Sequence, residues 1–308
     1  MSGSEAHAEV TQPAAATAGP RGLPEAMLAL ITFLWATNFL VTQVALQECR
    51  PLGFLALRFA IAAIALLVCF PSRMQGLTRT EVKAALAIGV TLFAGYVPQT
   101  IGLLYISVAK SAFIIAVYVP LVAVLQLVWL GKPPCLAIWA GIVLAFAGIV
   151  LPSVDEGLEA AFGVGEWLTL GAAVACALQI IMLGRWAPRT DPLRLAFVQI
   201  AVVAVLCMAA MPIVGEPLPA LTPTIVGAAL ELGVIGTAFT LAAMNWAQRA
   251  VSPARATVIY AMEPVWAALI GMLAGQWMSI TAVAGGALIL VGVLVSEIRR
   301  AQPTKGAE

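Results

Sequence analysis

The amino-acid sequence predicts an all-α membrane protein, with ten transmembrane helices arranged as two inverted five-helix repeats. Three observations predict it. The first is composition: 62% of the 308 residues are hydrophobic and only 10% are charged, whereas a soluble domain carries roughly a quarter charged residues. So much apolar surface has to face lipid. The second is a succession of ten apolar runs, each near the ~20 residues that carry a helix across about 30 Å of hydrocarbon. The third is duplication. Ala112, Ile115, Pro120, Ala123, Leu125, Gly131, Ala140, Gly141, Leu144 and Gly148 recur 144 residues later as Ala256, Ile259, Pro264, Ala267, Leu269, Gly275, Ala284, Gly285, Leu288 and Gly292. Apolar matches arise easily by chance. One proline pair and three glycine pairs in the same frame carry more weight, because both residue types have positional roles in a helix.

In chain order, residues 1–24 are rich in Ala, Pro, Gly and Thr and read as a disordered cytoplasmic tail. This tail holds the chain's one histidine, His7, and has no basic segment ahead of its apolar part, so it does not read as a cleavable signal. Spanning helices are expected at 26–46, 52–70, 82–106, 109–130 and 134–151, forming a first repeat over 25–152. A second repeat over 163–297 is expected to hold helices at 165–183, 193–211, 224–247, 256–274 and 280–296, followed by a cytoplasmic tail at 298–308. No alternating pattern of period two competes, which argues against a β-barrel.

Basic residues orient the helices. One set of ends and loops holds Arg21, Arg73, Arg79, Lys83, Lys132, Arg185, Arg189, Arg194, Arg249, Arg255, Arg299, Arg300 and Lys305; the opposite set holds Arg50, Arg58 and Lys110. This bias places both termini in the cytoplasm. An odd number of helices per repeat forces the second copy to insert with opposite orientation, the arrangement on which many secondary transporters are built. The five cysteines are scattered, without metal-knuckle or disulfide spacing. No metal or cofactor site is expected, nor a nucleic-acid surface. The chain has no phosphate loop of the form G-x-x-x-x-G-K-[ST], so an ATP-driven pump is excluded.

Glu231 and Glu263 are the acids deep inside expected helices. A charge at that depth is costly and normally faces the bundle interior or water. A substrate-amine contact or a coupling site is one reading. A structural carboxyl bonded to freed backbone or to Arg255 is the other. Arg58 either meets a substrate carboxylate or snorkels to the outer interface, and Lys110 and Trp186 read as interfacial. Pro98, Pro120 and Pro264 fall mid-helix, where proline bends the helix and frees a carbonyl four residues back. Polar and aromatic side chains form stripes: Trp35, Asn38 and Thr42; Tyr96 and Gln99; Ser111, Tyr118 and Gln126; Cys176 and Gln179; Thr237, Thr240 and Asn245; Tyr260 and Trp266. Such groups glue helices together or line a pathway. Gly141 with Gly148, and Gly285 with Gly292, suit close helix packing between the halves.

Several of these motifs together resemble the EamA family of the drug/metabolite transporter superfamily. They are Trp35-Ala36-Thr37-Asn38; Pro51 through Leu57-Arg58-Phe59; Ser107-Val108-Ala109-Lys110-Ser111-Ala112 leading to Pro120; and Val251-Ser252-Pro253-Ala254-Arg255-Ala256 leading to Glu263-Pro264. The resemblance covers residues 26–296 and is nearest to bacterial exporters of amino acids, aromatic ones included. It implies a cavity lined chiefly by helices one, three, four, six, eight and nine, with Trp35, Asn38, Tyr96, Gln99, Tyr118, Gln179, Asn245, Tyr260, Glu263 and Trp266 as candidate substrate contacts. It further implies an inner-membrane exporter of amino acids and related metabolites working by alternating access, in contact with lipid, as a monomer or a dimer. Efflux of drugs or nucleobase-like compounds is the alternative. A membrane enzyme or assembly factor ranks far behind, because the clustered His, Asp and Glu of such proteins are missing from the sequence.

Overall fold

The computed structural model describes residues 22–106, 108–131, 133–151, 163–273 and 280–297. Its regular elements are helical throughout these residues: α1 (Leu23–Ala45), α2 (Pro51–Cys69), α3 (Arg79–Gly102), α4 (Val108–Ile115), α5 (Tyr118–Leu130), α6 (Leu136–Val150), α7 (Val164–Trp186), α8 (Pro192–Val214), α9 (Pro223–Leu230), a π-helical segment (Glu231–Phe239), α10 (Thr240–Ala247), α11 (Pro253–Tyr260), α12 (Glu263–Leu273) and α13 (Ile280–Glu297). Six helical stretches are long and apolar enough to cross a membrane: Leu23–Ala45, Pro51–Cys69, Arg79–Gly102, Val164–Arg189, Pro192–Val214 and Pro223–Ala247.

The remaining apolar runs are shorter or interrupted, and their breaks have local causes. The fourth run is interrupted between α4 and α5, where Val117 and Val119 donate to the carbonyls three residues back, just ahead of Pro120. The ninth breaks between α11 and α12 just ahead of Pro264, with Met262 donating to Ile259. Pro98 lies inside an unbroken α3. The eighth run is continuous but widens into the π-helical segment, which no proline explains.

Helix starts follow their caps more closely than the apolar pattern does. Thr78 and Glu81 form a reciprocal capping box, so α3 begins at Arg79, three residues ahead of the expected start. Asp191 accepts from Leu193 and Arg194 with Pro192 in the first turn, opening α8. Leu23 and Pro24, read from sequence as part of the tail, already belong to α1. Other residues read as tail or inter-repeat loop, and the basic residues Arg21, Lys132, Arg299, Arg300 and Lys305, lie outside the described residues.

Two ends of the bundle are defined by polar contacts. At one end Arg194 reaches Glu81 at 3.6 Å and the carbonyls of Arg73 and Gly76, and Arg73 pairs with Asp191. At the other end Glu216 accepts from the backbone N–H groups of Leu52 and Gly53 at the start of α2, where a carboxylate also complements the helix dipole. There too Thr222 donates to Glu48 and holds its exposed carboxyl below the ordinary carboxylate range.

Contacts between the halves come in related pairs. A Cβ added to Gly148 of α6 would strike the Gly285 carbonyl of α13, and one added to Gly292 of α13 would lie 2.7 Å from the Gly141 carbonyl of α6. The same two positions, 144 residues apart, thus contact each other's counterparts, as across a two-fold axis. Likewise Gly89 of α3 packs against Gln199 and Val202 of α8, while Gly233, 144 residues on, packs against Arg58 and Ile61 of α2. The sequence-level duplication is therefore also a duplication of contacts. Gly148→Ala and Gly292→Ala should each lower the melting temperature in detergent, by amounts equivalent to ~1–3 kcal/mol of overpacking. Gly171→Ala, whose new methyl group would meet nothing within 4 Å, should be neutral or stabilising in the same assay.

Candidate functional site

Between the halves lies a cavity of about 760 Å³, counting the solvent at its mouth. Its wall is assembled from many elements: Trp35, Asn38, Phe39 and Thr42 of α1; Arg58 of α2; Leu92, Tyr96, Gln99 and Thr100 of α3; Ile115 and Tyr118 on either side of the α4–α5 break; Cys176, Gln179 and Ile180 of α7; Leu241 and Met244 of α10; and Glu263 at the α11–α12 break. Most of the lining is apolar or aromatic, with a few placed polar groups, the composition of a small-solute site.

Arg58 is buried, not snorkelled to an interface. Its Nε donates to Thr237 Oγ1 at 2.7 Å and its Nη2 to the Gly236 carbonyl at 3.3 Å. The guanidinium lies 5.2 Å from the centre of the Tyr96 ring, which meets Phe59 edge-on at 5.0 Å. No carboxylate of the described residues forms an ion pair with it. Asn38 donates from Nδ2 to the same Gly236 carbonyl at 3.2 Å. That carbonyl also accepts from Thr240 at 2.8 Å. The buried Oδ1 of Asn38 and Nε1 of Trp35 have no hydrogen-bond partner among the described residues.

Glu263 is buried and stands at the start of α12, where the chain restarts after its break. Among the described residues its carboxylate has neither a hydrogen bond nor an ion pair. The partner considered from sequence, Arg255, pairs instead with Glu25 at 3.7 Å. Tyr96, Tyr118 and Cys176 lie within its electrostatic reach. The lining therefore carries one cation and one anion, each without a protein counter-ion in contact.

Seven of the ten candidate contacts read from sequence line this cavity: Trp35, Asn38, Tyr96, Gln99, Tyr118, Gln179 and Glu263. The other three are placed elsewhere, each by a competing partner. Asn245 is fully buried and donates to the Pro192 carbonyl at the start of α8. Tyr260 packs behind Trp35 at a ring separation of 5.2 Å and accepts from Gln248 through its hydroxyl. Trp266 donates to Thr32 and meets Phe33 edge-on. Glu231 is half-buried at the first turn of the π-helical segment, outside the lining. Lys110, read as interfacial, pairs with Glu166 at 2.6 Å. Sequence reasoning missed Leu241 and Met244, because an apolar residue that faces a cavity has the same sequence signature as one that faces lipid. Among the described residues no cluster of His, Cys, Asp or Glu is arranged to hold a metal ion.

An uncharacterized transporter of Archaeoglobus fulgidus is 27% identical over 275 residues, covering 88% of this chain and 85% of its own. A second from the same organism is 23% identical over 284 residues, covering 87% of this chain and 96% of its own. The uncharacterized transporter YvbV of Bacillus subtilis is 27% identical over 192 residues, covering 59% and 61%. A crystal structure of a protein 20% identical in sequence superposes with a TM-score of 0.76 over 91% of this chain and all of that one, which shows the shared fold. The pattern of the EamA-like transporter family matches twice, at residues 23–154 and 163–297. Two matched segments, one in each half of the duplicated bundle, account for nearly all the described residues, and the chain belongs to the EamA-like transporter family.

Proposed function

We propose that this multi-pass membrane transporter is a secondary exporter of amino acids and related small metabolites. Ten spanning helices in two inverted repeats would alternate the central cavity between the two faces of a bacterial inner membrane. The end of the bundle bearing Arg73, Arg194 and the start of α1 would face the cytoplasm. The observation that carries the substrate reading is the cavity's pair of unmatched charges, Arg58 and Glu263, set among the aromatic side chains of Trp35, Tyr96 and Tyr118. A zwitterion supplies the missing counter-charges: its carboxylate to Arg58, which has donors to spare, and its ammonium to Glu263. The rings and the Ile115, Leu241 and Met244 side chains accept an apolar side chain.

Glu263 is also the one acid of the described lining, so coupling to protons would pass through it. Transport into liposomes, with and without an imposed pH gradient, tests both parts of the reading using a panel of labelled amino acids, purines and cationic dyes. Saturable amino-acid uptake is expected. Uptake confined to purines or dyes would overturn the substrate class and favour efflux of planar compounds.

At equal expression, Glu263→Gln should lower the initial rate of uptake about tenfold or more, the loss expected when a charged contact worth ~1.5–3 kcal/mol is removed. Asn38→Ala should have a smaller effect. Asn245→Ala and Trp266→Phe should behave differently again. Each removes one hydrogen bond, buried at Asn245 and part-buried at Trp266, at a cost of ~1–2 kcal/mol in stability. Melting temperature should fall while uptake per folded molecule stays close to that of the parent protein.

A further inference from the structure

We infer that the ion pairs Glu25–Arg255 and Lys110–Glu166 are two gates of one device: each latches one end of the cavity, and an end opens when its own pair parts. The inference rests on the transporter reading above but concerns residues outside the solute contacts.

Four features carry it. All four residues occupy the third position of their helices: Glu25 in α1, Lys110 in α4, Glu166 in α7 and Arg255 in α11. The two acids are 141 residues apart, the offset that also relates Trp35 to Cys176 and Asn38 to Gln179 in the lining. The two bases are one residue out of the 144-residue frame of the fourth and ninth apolar runs, a difference their long side chains absorb. Each pair thus joins the first helix of one half to the fourth apolar run of the other, and the two pairs are exchanged by the same pseudo-two-fold relation as the glycine contacts.

Second, the helices joined are cavity helices. α1, the α4–α5 run, α7 and the α11–α12 run all contribute to the lining. By contrast, the Arg73–Asp191 and Arg194–Glu81 pairs anchor α8, which contributes nothing to it.

Third, the pairs lie at opposite ends. Glu166 opens α7, and Pro253 of α11 lies against Gly184 near the end of the same helix. Eighteen residues separate those positions on α7, ~27 Å at 1.5 Å per residue. Cys176 and Gln179 fall between them, so the cavity is bracketed by the two pairs. Fourth, the pairs are partly buried, with side-chain exposures of 17% and 13% at one end and 31% and 10% at the other. They are shielded enough to hold and wet enough to part, unlike a fully buried pair whose breaking strands a charge. Both pairs are formed in this structure, at 3.7 Å and 2.6 Å.

Cys176 lines the cavity between the gates and serves as a built-in reporter. With Cys49, Cys69, Cys135 and Cys207 replaced by Ser, its labelling by a membrane-impermeant maleimide is followed in right-side-out and inside-out vesicles, without any solute. Glu25→Gln should speed labelling about three- to tenfold from the side bearing the start of α1 and leave the other side unchanged, and Lys110→Gln should do the reverse. The swap of Glu25→Arg with Arg255→Glu should return the rate to that of the parent. Acceleration from both sides alike, no acceleration in a protein of parental melting temperature, or a swapped pair that labels faster than the parent would each overturn the gates. Because labelling needs no solute, this result is separate from the outcome of the uptake panel.

Discussion

The cavity depends on a single backbone carbonyl. In hydrocarbon there is no water to satisfy a freed peptide group, so each one has to find a protein partner. The π-helical turn at residues 231–239 loosens the regular hydrogen-bonding pattern, and the Gly236 carbonyl accepts from Asn38, Arg58 and Thr240. That one acceptor ties α1, α2 and the π segment together, and it fixes the direction of the only cation in the described lining. The absence of a side chain at Gly236 is part of the arrangement, because a Cβ there would lie 2.6 Å from Asn38 Oδ1. Gly233 does the same for the α2 backbone, which comes within 3.0 Å of its would-be Cβ. A wide turn, two glycines and an arginine therefore act as one unit. π-helical turns are frequently found at functional sites for this reason.

Much of the architecture was legible because lipid imposes simple rules. Apolar runs gave the helices, and the frame shared by Pro120 and Pro264 located both breaks. The Trp35/Asn38 and Cys176/Gln179 stripes gave facing walls of the cavity. What periodicity could not supply was the identity of the neighbour. Asn245, Tyr260 and Trp266 lie on suitable helices, yet their polar atoms are taken by Pro192, Gln248 and Thr32, partners distant in sequence or hidden among many candidates. The π segment left no sequence signal beyond two glycines. The early start of α3 is readable from Thr78 and Glu81, whose capping box leaves no mark on the hydropathy pattern.

The two halves share a backbone plan but not a charge plan. Val119 stands where Glu263 does in the other copy, and Gln199 stands where Arg58 does, 141 residues away. Gln199 is fully buried, with both amide atoms lacking a partner among the described residues. It marks the unused counterpart of the Arg58 position: the helix packed against it, α3 around Gly89, is α-helical and not π-helical, and Gln199 is not part of the cavity lining. The two halves thus share a scaffold, and the charges of the lining lie where they depart from symmetry.

The reciprocal contact of Gly148 with Gly285 and of Gly292 with Gly141 is the kind that two identical subunits make. In a homodimer of one half, every substitution would appear twice: an arginine would have a second arginine as its mate across the axis, and a glutamate a second glutamate. Such a dimer would present each charge twice about the axis, whereas the cavity here presents a single arginine and a single glutamate among the described lining residues. In a single chain each copy can carry a charge that the other lacks, while the reciprocal glycine contacts are kept.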